Sequence, residues 1–158
     1  MFEEIAGLPI HPLAVHAAVV FVPLLALVAG AYALVPKLRG RLTWAAVTLA
    51  VIAPASAVVT VLSGDSFQQR RGLPLEGALA DHRTLGLVTM TVTMVLAAVT
   101  LVLVWVRRLG SGSGAVRWTD RTLTVLLVVA AAVALFSIVR SGDTGARMVW
   151  EPIWQLVT

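Results

Sequence analysis

Four stretches of this chain contain no Asp, Glu, Lys or Arg. Leu13–Val35, Leu42–Gly64 and Thr84–Val106 run to 23 residues each, and Thr122–Val139 to 18. A bilayer core of about 30 Å takes roughly 20 helical residues. Inside it, every backbone N–H and C=O must pair internally, and runs this long and this apolar can do so only as helices. The sequence therefore predicts four transmembrane helices, at about 13–35, 42–64, 84–106 and 122–139. They make one all-α domain over residues 1–158, an integral membrane four-helix bundle. The first run is too long for a signal-peptide core and lacks the basic lead and small-residue cleavage site of one.

Composition narrows the function classes. Hydrophobic residues make up 59% of the chain and charged residues 13%, against about 25% charged in a soluble domain. The absence of cysteine excludes disulfides, thiolate metal sites and a cysteine nucleophile. The twelve Lys and Arg are scattered between apolar blocks rather than gathered on one face, so nucleic acid is not a partner. No nucleotide-binding loop or nucleophile–base constellation is present, and the chain reads as a binding or electron-transfer protein rather than an enzyme. Its expected partners are the lipid bilayer and a second copy or a larger membrane complex.

Breakers and charges organise the runs. Pro36–Arg41 is a tight connection, Gly64–His82 the longest polar loop, and Arg107–Arg121 a Gly/Ser linker flanked by arginines. Pro23 and Pro54 fall inside helices 1 and 2, where membrane helices tolerate them. Ala26 and Gly30 give helix 1 a small-residue face. Trp44, Trp105, Trp118, Trp150 and Trp154 are expected in interfacial belts, and residues 144–157 as a separate interfacial segment. Met90 and Met94 read as packing. Lys37, Arg39, Arg41, Arg107, Arg108, Arg117 and Arg121 lie in the two loops on one side. The positive-inside rule then puts both termini outside the cytoplasm, in a multi-pass cell-membrane protein.

Given four helices, all three histidines (His11, His16, His82) and the acids Glu3, Glu4, Asp65, Glu76, Asp81, Asp143 and Glu151 share the other face; Asp120 alone lies with the arginines. Helix 2 ends in VLSGDSF and helix 4 in VRSGDTG. Two readings of this recurrence stand. One is chance, because Ser, Gly and Asp are ordinary helix-end residues. The other is a pair of tandem hairpins related by an axis along the membrane normal. Under the second, His16 and His82 become mates across the bundle. Two imidazoles so placed suit the axial positions of a b-type haem, with Arg140, Arg147 or Arg83 against its propionates. His16, His82, His11, Asp65 and Asp143 equally suit a divalent metal, with the aspartates orienting the imidazoles. His11, preceding Pro12, is expected at the helix start as a cap. The bland alternative is a subunit or scaffold whose histidines are structural polar glue.

GLPIHPLAVHAAVVFVPL (Gly7–Leu24) resembles the His-bearing opening of the bacterial membrane family catalogued as domain of unknown function 2231. LADHRTLGL (Leu79–Leu87) is similar to that family's entry to helix 3, and SGDTGARMVW (Ser141–Trp150) to its closing motif. Ala17-Ala18 replace the usual Phe-Pro after the second histidine. Asp143 stands where related members often carry a histidine, which weakens a metal site built on that position. The resemblance implies a four-helix membrane protein and no particular activity.

Overall fold

In the computed structural model, which describes residues 4–5, 8–110 and 114–157, the chain is a four-helix bundle. A short antiparallel pair, β1 (Glu4–Ile5) and β2 (Leu8–Pro9), leads into α1 (Ile10–Leu34). A single 3-10 turn (Pro36–Leu38) separates α1 from α2 (Arg39–Arg71), and α3 (Gly77–Arg108) and α4 (Gly114–Val157) follow. Each is long and apolar enough to cross a membrane. Each helix packs on the next, α4 closes back on α1, and α1 and α3 sit diagonally with few contacts.

The helices overrun the apolar runs that announced them. At about 1.5 Å per residue α4 reaches roughly 66 Å, about twice the bilayer core. Residues 144–157, expected as a separate interfacial segment, instead belong to this one helix (up to Val157). The reason is local. Asp143, Arg147 and Glu151 follow one another at i, i+4, and Arg147 bonds both carboxylates, a spacing that supports helix. Likewise α3 starts seven residues before Thr84 and α4 takes in residues 114–121, so the Arg107–Arg121 linker shrinks to the residues from Leu109 to 113. Positive-φ glycines make the turns: Gly72 (φ 59°) closes α2 with its N–H on Gln68 and Gln69, and Gly110 (φ 85°) follows α3.

Small residues let the helices approach closely. Ala46, Ala50, Ala53 and Ala57 form the buried stripe of α2, and Ala14, Ala18, Ala29 and Ala33 lie in that of α1. Ala26 is buried as expected, but a Cβ on Gly30 would meet nothing within 4 Å, so Gly30 is not part of the contact. The buried hydroxyls of Thr89, Thr93 and Thr100 donate to carbonyls four residues back and satisfy themselves within α3. Leu25, Leu96, Leu103 and Leu127 fill the middle. Outward, Leu27, Val51, Val125 and Phe136 are each more than 60% exposed, which suits a lipid-facing surface and no aqueous one. All five tryptophans are exposed: Trp44, Trp105 and Trp118 ring one end, and Trp150 and Trp154 the other.

Candidate functional site: two imidazole locks at one end of the bundle

At the end where α1 and α3 begin, two histidines are held in the same way. His11 lies in the first turn of α1, where Pro12 costs no helical hydrogen bond. Its Nδ1 is 3.1 Å from the Thr60 carbonyl and 3.2 Å from Ser63 Oγ on α2. A carbonyl only accepts, so Nδ1 carries the proton and Nε2 keeps its lone pair. Phe67 stacks on the ring, with centroids 6.3 Å apart. The edge of the ring presses on Gly64, where an added Cβ would stand 2.9 Å from Cε1.

His82 repeats this between α3 and α4. Its Nδ1 is 3.1 Å from Thr144 Oγ1, with the Ser141 carbonyl as its backbone neighbour. The Thr144 hydroxyl donates to the Ser141 carbonyl, so it accepts from Nδ1, and the tautomer is again the one with Nε2 unprotonated. A Cβ on Gly145 would stand 3.0 Å from Cε1. Thr60, Ser63 and Gly64 therefore correspond to Ser141, Thr144 and Gly145. The sequence reading aligned the two Ser-Gly-Asp strings, which pairs Gly64 with Gly142; the side chains pair one helical turn later. A Cβ on Gly142 would meet nothing within 4 Å. The signal that could have found this is Ser/Thr-x-x-Ser/Thr-Gly, present as TVLSG and SGDTG.

The mate of His82 is thus His11, not His16. His16 is exposed, and its Nδ1 folds back 2.6 Å onto the Pro12 carbonyl of its own helix. His11 and His82 lie near the starts of α1 and α3, the diagonally opposite helices of the bundle. The aspartates expected to orient the imidazoles are engaged elsewhere. Asp65 takes a two-pronged bond from Arg83 at 2.8 and 3.2 Å, tying α2 to α3. Asp143 pairs with Arg147. Arg140 is exposed near the same end. Among the described residues no three His, Asp or Glu side chains converge as a metal-holding group. Glu3 lies outside the described residues. Buried residues on this half are mostly small, Ala14, Ala18, Ala57, Ser63, Thr89 and Ser137 among them.

The opposite end is organised by Arg107, a residue the sequence marked only as loop charge. Its side chain is 10% exposed. It bonds Asp120 at 2.6 Å and Thr124 at 2.9 Å on α4. It also caps the terminal carbonyls of α1, Tyr32 at 3.1 Å and Ala33 at 3.3 Å, with its guanidinium over the Tyr32 ring. A cation suits the negative end of a helix dipole, and one guanidinium thereby joins three helices.

Four apolar helices long enough to span, a lipid-facing surface and tryptophans at both ends define a multi-pass membrane protein. A family model described as a predicted membrane protein (DUF2231) matches residues 7–153, and the chain belongs to that family. No curated protein and no solved structure matches it.

Proposed function

We propose that this is an electron-transfer membrane protein that holds a b-type haem between His11 and His82, near the extracytoplasmic face. The carrying observation is the doubled lock: two imidazoles on diagonal helices, each with Nδ1 committed to protein oxygen and Nε2 left as a lone pair. That is the tautomer and restraint an axial ligand needs. Arg140, exposed near the same end, would be placed to pair with the anionic groups of such a macrocycle. A haem so held would supply one-electron chemistry; the chain's part is to fix the two rings. The divalent-metal reading is weaker, because the carboxylates beside the imidazoles are taken by Arg83 and Arg147.

A second reading has its own observation. The close seating of both rings against glycine makes each histidine a good structural lock within its hairpin, as in a non-catalytic subunit or scaffold. An absorption spectrum and metal analysis of the protein purified in detergent separate the two. The haem reading expects a Soret band that is lost in His11→Ala and in His82→Ala and retained in His16→Ala. A colourless, iron-free protein from haem-replete cells overturns it in favour of the scaffold. Colourless protein carrying stoichiometric zinc, iron or nickel would point to metal.

A further inference from the structure

A second site lies at the arginine end, independent of the histidines. A cleft of about 440 Å³ opens between α1, α2, α3 and α4, lined by Tyr32, Arg39, Arg107, Arg108, Arg117, Asp120 and Arg121, with Gly40 and Gly110 at its edge. That volume falls within the range of small-ligand pockets, about 300–1,000 Å³. Five guanidinium groups meet one carboxylate there. Asp120 is spent on Arg107, whose own donors are taken by Asp120, Thr124 and the α1 carbonyls. Arg39 gives one nitrogen to the Ala33 carbonyl at 3.3 Å, and its Nε is buried without a hydrogen-bond partner, the one such side-chain atom among the described residues. A buried donor left unmade is costly. Charge bias in loops accounts for arginines on this side of a membrane. It does not account for their gathering around one hollow, nor for a desolvated donor on a side chain that lines it.

We infer that this cleft binds a phosphate-bearing anion, the headgroup of an anionic phospholipid, with Arg39, Arg117 and Arg121 as the guanidinium fork. Guanidinium matches phosphate oxygens in pairs, and a basic hollow between transmembrane helices is suited to lipid phosphates. The cleft sits at the level of Trp44, Trp105 and Trp118, where headgroups lie. Free inorganic phosphate offers the same chemistry.

The test uses the full chain in neutral detergent, titrated with dioleoyl phosphatidylglycerol, dioleoyl phosphatidylcholine or inorganic phosphate. Bound lipid is counted by native mass spectrometry. Phosphatidylglycerol should be retained over phosphatidylcholine by at least tenfold. Arg39→Gln should weaken that retention by about tenfold or more, Arg39→Lys by less, and the exposed Arg117→Gln by several-fold with no risk to the fold. Lys37→Gln and Arg41→Gln remove equal charge from the same end without lining the cleft and should change little. Displacement of the lipid by millimolar phosphate would identify the free anion as a second source; none would leave the lipid alone. Equal losses in the Arg117 and Lys37 variants, or no preference for phosphatidylglycerol, would overturn the inference.

Discussion

Gly64→Ala should destabilise the bundle, although alanine is the better helix former. Gly64 lies inside α2 with ordinary helical dihedrals, so an alanine there would by itself gain about 0.8–1.0 kcal/mol. Against this, the new methyl would stand 2.9 Å from His11 Cε1 and 3.2 Å from Nδ1. The ring cannot swing away freely: Nδ1 is held by the Thr60 carbonyl and Ser63 Oγ, and Phe67 stacks on the ring. Overpacking costs about 1–3 kcal/mol, and a displaced ring forfeits a further 0.5–1.5 kcal/mol or so of hydrogen bonding. The net expectation is a loss centred at about 2 kcal/mol. In a His11→Ala background the obstruction is gone and Gly64→Ala should become stabilising, by up to about 1 kcal/mol. That reversal of sign is a coupling of about 2–3 kcal/mol, within the range for contacting residues. The assay is unfolding in mixed micelles with increasing SDS, followed by tryptophan fluorescence and helicity. Gly145→Ala with His82→Ala should reproduce the cycle, and Gly142→Ala, with open space around its Cβ, should be neutral or stabilising. Additive effects at Gly64 and His11, or equal effects at Gly142 and Gly145, would refute the lock and the repeat register built on it.

Other expectations follow from the same geometry. Arg107→Gln should cost about 2–4 kcal/mol in the SDS assay, because it strands Asp120 and uncaps α1, while exposed-site Arg108→Gln should cost under about 0.5 kcal/mol. Asp65→Asn should cost no more than about 1 kcal/mol, since its pair with Arg83 is partly solvated, and should leave any pigment spectrum unshifted. A cysteine at Ser66 should react with an impermeant thiol reagent added to intact cells and one at Lys37 should not; the opposite pattern would invert the bundle while keeping the histidines together.

Much of the architecture was legible because lipid imposes simple rules. Uncharged runs of 23 residues named three helices and 18 the fourth, and alternation across the bilayer sorted every histidine to one end. Helix length was less legible, since polarity marks where lipid stops and not where helix stops. The Asp143–Arg147–Glu151 ladder reads equally as interfacial segment or as further turns of α4. Sequence favours His16 over His11 on depth alone: a histidine further into an apolar run reads as buried. Burial here depends on which face of α1 meets α2, and Ala14, Ala18 and Val22 put His11 on that side and His16 outside. The repeat register failed by one turn because identical letters outweigh physical role. Ser-Gly-Asp recurs as text, whereas the hydroxyl, carbonyl and glycine that seat a ring recur three residues further along in α4. Arg107 carried no local mark at all, since its partners on α1 are 74 and 75 positions away.

The polar bonds of the two ends are distributed differently, and this bears on what the histidines do. At the arginine end Arg107 crosses between hairpins, joining α3 to both α1 and α4. At the histidine end each ring bonds only within its own hairpin, His11 from α1 to α2 and His82 from α3 to α4. Between hairpins at that end, the ion pair of Arg83 with Asp65 is one polar tie, with the two side chains 40% and 30% exposed, a geometry that contributes at most about 1 kcal/mol. The bundle is therefore cross-braced by a guanidinium 10% exposed at one end and by this more exposed ion pair at the other, where small residues replace the leucines of the middle. A ligand gripped by both Nε2 atoms would add a brace between the hairpins, and its binding would then appear as stability, growing as RT ln(1 + [L]/Kd). On the haem reading, loss of either imidazole removes the same brace. His11→Ala and His82→Ala should then lower the unfolding midpoint of the loaded protein by similar amounts, and the double variant by little more than one of them. On the scaffold reading each hairpin loses its own lock and the two losses add. Additivity in that double variant would leave the histidines as two separate fasteners rather than one site.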